Sequence, residues 1–302
     1  MTERFDWDDL QSFLAVARAG KLTLAARSLG IDHSTLSRRL AGLEQALAAK
    51  LFERSPTGYT LTPQGESLLP QAEAMESVAG SIQAELAGSR LRISGAVRIG
   101  APDGFGSHFL APRIGGLADR HADLEIQLVA MPRVFSLSRR EADIAISLTQ
   151  PAEGRLQVRK LTDYELGLYA APAYLAKHGP VASVAQLPRH PFIAYIDDLL
   201  YTPELDYLPQ ISKDIRPGFR SASVVAQQSA ALSGAGIAVL PCFMAGREPG
   251  LRRVLPDVKL VRAFWLLLHA DMRDVARVRV TADFIADEVR AAHGLFLPRA
   301  EP

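Results

Sequence analysis

The chain has 302 residues, 48% of them hydrophobic, with a formal net charge of only +1 at pH 7. That length allows two or three domains with real cores, and the near-neutral balance excludes a protein that grips polyanions through bulk charge. A single cysteine, Cys242, excludes an internal disulfide and any zinc site built on several thiolates, and it suits a reducing compartment.

The opening MTERFDWDDL is acidic rather than signal-like, and no apolar run is long enough to span a bilayer. A cytoplasmic protein without a membrane partner is expected. Residues 1–90 carry slightly more acids than bases, so any affinity for nucleic acid has to come from a local cluster.

Residues 22–54 hold such a cluster. Leu22, Leu24, Ala25, Ala26 and Leu29 write a short helix whose alanine pair permits close approach of a neighbour, and Gly30 ends it. Asp32 stands at the N-cap of a second helix that starts at His33. There Leu36, Leu40, Leu43 and Leu47 form one apolar stripe, which turns Ser34, Arg38 and Gln45 outward with Thr35 and Ser37 on the flanks. This is the pattern of a helix-turn-helix whose second helix enters the major groove. His33, Ser34, Thr35 and Arg38 are the base-contact candidates, and Arg39, nearer the stripe, is assigned to phosphate. Read alone, the same helix also fits an ordinary amphipathic helix with a solvated face.

The next stretch, SPTGYTLTPQG, has turn formers at Ser55, Pro56 and Gly58, and Tyr59–Thr62 alternate toward a short strand. That is the grammar of a wing, able to lay Arg54 and the Thr57–Gly58 tip along phosphates. Arg27, Arg38, Arg39 and Arg54 make up the basic cluster, with Ser37 beside it.

Pro63 opens a long helix in which Leu68, Ala72, Met75, Ala79, Ile82 and Leu86 repeat at heptad spacing, interrupted by Pro70. A helix packed on its own domain is one reading. The other is a dimer seam, which brings two recognition helices to an inverted repeat.

Beyond Gly88 the pattern alternates strands and helices. GAVRIGAP, LEIQLVA and DIAISL read as strands, residues 108–120 as a helix, and a helical piece is expected near 136–141. ELGLYAA, FIAYI, the helical SVVAQQSAALSGAG, IAVLP, FWLLLHA and an amphipathic helix near 275–291 follow, so the fold class is α/β for this half.

The sequence resembles the LysR-type transcriptional regulators. The matching strings are FLAVA at 13–17, AARSL at 25–29, LSR at 36–38, LE at 43–44, LFER at 51–54 and LTPQG at 61–65, with EADIAIS, APAYLAKHG and GAGIAVLP further on. It departs from that pattern at Lys21, Asp32, His33 and Ala48, where the family usually has Ser, Ser, Gln and Gly. The resemblance implies an α+β multidomain protein. A winged helix-turn-helix occupies 1–62, a dimerising linker helix 63–89 and a two-lobed, periplasmic-binding-protein-like effector domain 90–302, with lobe I at 90–162 and 268–302 and lobe II at 163–267.

In such a fold a ligand sits between the lobes at strand C-termini. The expected effector contacts are Ala101, Pro102, Asp103 and Phe105, Ser147 after DIAIS, and Tyr195, Phe219, Ser221 and Ser223 in the second lobe, with Pro241 and Phe243 nearby. Several family members carry a hydroxyl where Pro102 stands and use it on a ligand carboxylate. Pro102 and the added charge of Asp103 remove that mode here.

No G-x-S-x-G elbow, H-E-x-x-H helix or G-x-x-x-x-G-K-[ST] loop occurs, and the histidines are scattered. An enzyme is therefore not expected, nor any metal or cofactor. A binding protein without regulatory output is opposed by the helix-turn-helix. The expected partners are double-stranded DNA, a small-molecule effector, further copies of the chain in a dimer or tetramer, and RNA polymerase.

Overall fold

The fold begins with α1 (Trp7–Ala19), whose capping box pairs Asp6 with Asp9 and whose C-cap is Gly20 in a left-handed conformation. The computed structural model describes residues 5–55, 58–86, 93–137, 141–151, 155–273 and 275–298, with backbone only at positions 77 and 80–86. It divides into two compact units, one built on Met1–Arg92 and the other on Ile93–Arg273 and Arg277–Pro302.

In the first unit, α2 (Leu22–Leu29) ends at left-handed Gly30, and α3 (His33–Ala46) starts at the expected residue. Asp32 caps α3 by accepting from the Thr35 amide at 2.8 Å. Strands β1 (Phe52–Ser55) and β2 (Gly58–Leu61) pair antiparallel to form the hairpin. Gly58 has φ +143°, and a Cβ there would lie 2.3 Å from the Gly20 carbonyl oxygen. Leu10, Phe13, Leu22, Ala25, Leu36, Leu40, Leu43, Leu51 and Phe52 share one core.

The long helix α4 (Pro63–Leu86) contributes Ala72 to that core, with Leu68 and Leu69 packed against it. The first turns of the expected heptad seam are thus satisfied within the unit, which corrects the reading of Leu68 and Ala72 as dimer positions. Met75 and Val78 stay exposed at 48% and 55%. The side chains of Ile82 and Leu86 lie outside the described residues.

The second unit is built on a mixed sheet. Strands β3 (Gly95–Ala101), β4 (Leu124–Ala130), reached through the single turn α5 (Gly115–Ala118), and β5 (Ile144–Ser147) run parallel. Strand β6 (Leu156–Ala170) then leads through α6 (Pro172–His178) to β7 (Phe192–Ala194), α7 (Leu208–Ile211), β8 (Pro217–Arg220), α8 (Val224–Leu232), β9 (Ile237–Pro241) and α9 (Cys242–Ala245). The chain returns along β10 (Arg252–His269) and finishes with α10 (Ala276–Ala291) and α11 (His293–Phe296).

The strand order is β4-β3-β5-β10-β6-β9-β7-β8. The antiparallel pair β6–β10 is the spine, joining a half made of β4, β3 and β5 to a half made of β9, β7 and β8. Its register breaks between Phe264 and Trp265, opposite Thr162 and Lys160. Trp265–Leu268 pair with β5, so over these residues the returning strand lies against the first half.

The expected helix at 108–120 is instead a wide π-type turn at Phe105–Leu110, a tight turn at Ala111–Arg113 and then α5. Pro112 has no amide for a regular ladder, and Gly115 and Gly116 weaken the rest. Of the helix expected near 136–141, residues 138–140 lie outside the described residues. Phe135 and Leu137 are non-helical and buried with Ala142, Ala145 and Leu267.

Candidate functional site

The exposed end of α3 is an arrangement of polar side chains organised by its cap. Ser34 Oγ donates to Asp32 Oδ1 at 2.6 Å and Thr35 Oγ1 donates to Asp32 Oδ2 at 2.7 Å. Those hydroxyl bonds and the Thr35 amide hold the Asp32 carboxyl far below the usual carboxylate range. It is therefore ionised at neutral pH and can only accept. Both hydroxyl protons point back to the cap, so Ser34 and Thr35 present lone pairs outward.

His33, Ser34 and Arg38 are exposed, and Ser37 is half-buried on the flank. Arg38 forms no ion pair among the described residues. Arg39 does: its Nη2 meets Asp8 Oδ2 at 2.9 Å, an α1–α3 tie that the sequence reading, which assigned Arg39 to phosphate, missed. Arg27 is exposed on α2, and Arg54 lies 5.4 Å over the Tyr59 ring on the hairpin. Thr57 lies outside the described residues.

Glu44 positions this hairpin. Its Oε1 accepts from the amides of Leu51 at 2.9 Å and Phe52 at 3.4 Å, and Oε2 accepts from Lys50 Nζ at 2.7 Å. Partial burial opposes ionisation, but these donors outweigh it and lower the Glu44 pKa. Arg18 fixes α4 to the same body by meeting Glu76 in a two-pronged pair at 3.0 and 2.5 Å, with Glu73 at 3.7 Å.

In the second unit, the expected effector residues separate into three groups. Ala101, Pro102 and Asp103 are buried at the end of β3, and Ser223 Oγ donates to Asp103 Oδ2 at 2.6 Å. Ser223 also caps α8, accepting from the Ala226 amide, and its own amide donates to Ser221 Oγ. At Gly104 an added Cβ would come within 2.7 Å of both Val224 Cγ1 and Met244 Sδ. The two halves of the sheet are therefore in close contact beside this loop.

Phe105 is 1% exposed and faces away from the loop, with its ring centroid 4.7 Å from Phe264 and 5.1 Å from Phe109. It is core, which corrects its assignment as a ligand contact. Phe243 joins the same aromatic cluster through Phe264 and Phe296. Phe219, on the edge strand β8, is 42% exposed and lines none of the cavities described below.

Ser147 lies with Pro102, Phe135, Leu148 and Leu267 around the space between the halves, and that space measures only about 20 Å³. Tyr201 and Thr202 line it from the second half. Burial, with Asp103 and Tyr207 close by, pushes the Tyr201 hydroxyl well above the phenol range. Tyr195, similarly raised by burial beside Tyr207 and Tyr201, does not line this remnant. It lines a second cavity of about 330 Å³, wholly within the second half, together with Asp197, Tyr207, Arg216, Arg220 and Gln227.

Residues 7–66 match the bacterial regulatory helix-turn-helix protein, lysR family, and residues 91–290 match the LysR substrate binding domain. The chain belongs to the LysR family of transcriptional regulators. The chain is 29% identical over 287 residues to the Mau operon transcriptional activator of Paracoccus denitrificans, covering 93% of this chain and 96% of that one. Its identity to the HTH-type transcriptional regulator CrgA of Neisseria meningitidis is 26% over 289 residues, covering 93% and 96%. The structure of CrgA superimposes with a TM-score of 0.58 at 24% identity, covering 95% of this chain and 99% of that chain. A cysteine mutant of Corynebacterium glutamicum OxyR gives 0.64 at 20% identity, covering 98% and 96%.

As a LysR-type regulator the protein couples a DNA-binding helix-turn-helix to an effector-binding domain, and it is not an enzyme. Among the described residues no helix is long and apolar enough to cross a membrane. Sequence reasoning missed Asp8, Tyr201 and Arg220, because each acts through a partner distant in the chain, and Arg216, whose place on a cavity wall depends on the fold around it. Glu44 was within the quoted LE motif, but nothing in its spacing pointed to the hairpin amides.

Proposed function

We propose that this LysR-type regulator binds an inverted-repeat operator as a dimer or tetramer and changes its hold on DNA when a small molecule enters between the halves of its effector domain. The observation that carries the DNA half is the exposed face of α3, with Arg38 in no ion pair among the described residues and the Ser34 and Thr35 acceptors beside it. Arg38 reads a guanine edge, to which its fork is suited. His33, Ser34, Thr35 and Ser37 flank it, while Arg27, Arg54 and Thr57 follow the backbone. Arg39, held by Asp8, serves phosphate only if that pair opens.

The exposed Met75 and Val78 on α4 support self-association beyond the part of the helix that packs on its own unit. In the effector domain, Pro102, Asp103, Ser147 and Ser223 line or latch the space between the halves, and Tyr201 and Thr202 line it from the second half. An effector that displaces them favours a different closure, and that difference is what a ligand can use to bias DNA geometry. We assign the domains as 1–62, 63–89 and 90–302, the location as cytoplasmic, and RNA polymerase as a further partner at the promoter.

The test is to select sites from a random DNA library with the full-length protein and footprint the DNA upstream of its own gene. A two-fold symmetric protected site that Arg38→Ala no longer recognises supports the reading. Failure to enrich any sequence overturns it.

A further inference from the structure

We propose that the cavity beneath residues 197–216 is a second ligand site, separate from the space between the halves of the sheet, and that it takes a small organic monocarboxylate. At about 330 Å³ it is within the range of small-molecule sites, roughly 300–1,000 Å³, whereas the space between the halves holds about 20 Å³.

Its chemistry is two-layered. The floor is apolar, formed by Ile193, Leu205 and Val239 with the ring of Tyr207. The rim carries Lys213, Arg216 and Arg220 against Asp197 and Asp206. Arg220 is engaged: its Nη1 meets Asp197 Oδ1 at 2.5 Å and the Tyr195 carbonyl at 2.7 Å. Lys213 forms no ion pair among the described residues. Arg216 spends Nη1 on the carbonyls of Lys213 at 3.1 Å and Ile215 at 3.3 Å and meets no carboxylate among the described residues. Subtracting the Asp197–Arg220 pair leaves two cations facing Asp206 alone. That surplus suits one carboxylate, for which the arginine fork offers a matched pair of donors. With that surplus taken up, Asp206 disfavours a second negative charge, and the apolar floor takes a short aliphatic or aromatic body.

The site is wired to the space between the halves by its own roof. Residues of the 197–216 segment line the cavity on one side, and Tyr201 and Thr202 of the same segment line the neighbouring space. Arg262 holds that segment down, with Nε donating to the Glu204 carbonyl at 3.2 Å and Nη2 to Gln210 Oε1 at 2.8 Å. A ligand under the roof favours whichever position of Tyr201 the seated roof allows. This coupling rests on the proposed entry of an effector between the halves; the binding itself does not.

The experiment is calorimetric titration of the full-length protein with phenylacetate, with phenylacetamide and phenethylamine as neutral and cationic controls. Saturable binding of phenylacetate only is expected, weakened about tenfold by Lys213→Met or by Arg216→Met and unchanged by Ser147→Val. Both cations are exposed, so these variants keep their thermal transition and their operator binding without ligand. No saturation by about 10 mM phenylacetate, or equal binding of the amide, overturns the site. Binding that Ser147→Val abolishes and Arg216→Met leaves intact also overturns it, while leaving the reading of the space between the halves standing. If the operator footprint is absent but the calorimetric result holds, the second site stands and the proposed regulation fails.

Discussion

Ser223 donates its hydroxyl proton to Asp103 across the two halves of the effector domain, Oγ to Oδ2 at 2.6 Å. The same oxygen accepts the Ala226 amide and caps α8, so one side chain both starts a helix and latches two half-sheets. Ser223→Ala removes both bonds and leaves a 7%-exposed carboxyl without its donor. A loss of about 2 kcal/mol in the effector domain is expected, combining a cap with a buried hydrogen bond. Urea unfolding monitored by hydrogen exchange at 101–106 and 224–232 checks this. Faster exchange confined to α8 would show that the oxygen acts as a cap alone.

Tyr201 is the second closure. Tyr201→Ala opens the space it shares with Pro102 and Ser147, and because its ring is only partly buried a cost of about 1–3 kcal/mol is expected. The informative readout is solvent entry: exchange of the Ser147 and Leu148 amides should rise while that of β7 does not. Uniform protection in the variant would mean that Thr202 closes the space unaided.

These two closures also mark where the sequence was opaque. Asp32 and the start of α3 were legible because a cap acts on amides two or three residues away. So were β3, β5 and β9, whose apolar runs need no knowledge of their neighbours. The spine β6–β10 was legible only in its apolar halves, ELGLYAA and FWLLLHA, since LQVRKLTDY and RRVLPDVKLVRA carry charges along exposed stretches. Heptad spacing on α4 gave a buried stripe but not its partner, and Leu68 and Ala72 found theirs on the same chain. Phe105 was placed at the right strand end with its ring on the wrong side, because strand order says nothing of side-chain direction after a turn. Residues 197–216 have no periodicity, so the place of Tyr201 beside Pro102 and Ser147 and the cavity beneath were invisible before the fold was known.

Two adjacent arginines on α3 should behave differently. Arg38→Ala is expected to cost about 1–3 kcal/mol on a selected DNA site and to relax preference at one base pair. Arg39→Ala breaks the partly exposed pair with Asp8, worth about 0–1 kcal/mol of stability, and should leave base preference intact. Binding of each variant to the site and to its single-base substitutions, at fixed salt, separates them. Equal loss of preference would return Arg39 to the reading face.

Acid should loosen the DNA-binding unit at a definable place. The folded pKa of Glu44 lies below its ordinary value of 4.5, and that of Asp32 lies below 3.8. A carboxyl depressed by folding contributes stability that is fully present above its unfolded value and disappears as pH falls through the folded one. Protection of the Leu51 and Phe52 amides should therefore hold at neutral pH and decline progressively below about pH 4.5. In Glu44→Gln the decline should be absent, with protection lower at every pH. A variant that titrates like the parent would place the acid sensitivity elsewhere.

The long helix α4 makes the sharpest prediction, because its inner and outer faces have been separated. Ala72 is fully buried against the helix-turn-helix core, so Ala72→Glu places a charge where neither water nor a partner can reach it, and the DNA-binding unit should unfold. Met75 and Val78 project outward, so Met75→Glu with Val78→Glu should leave the unit folded, with its near-ultraviolet spectrum unchanged. If that face is where copies of the chain meet, the double variant sediments as a smaller species and loses affinity for a two-half-site operator, while binding to a single half-site is retained. A double variant that sediments like the parent assigns self-association to the effector domain. Exposed apolar side chains on α4 would then serve some other contact.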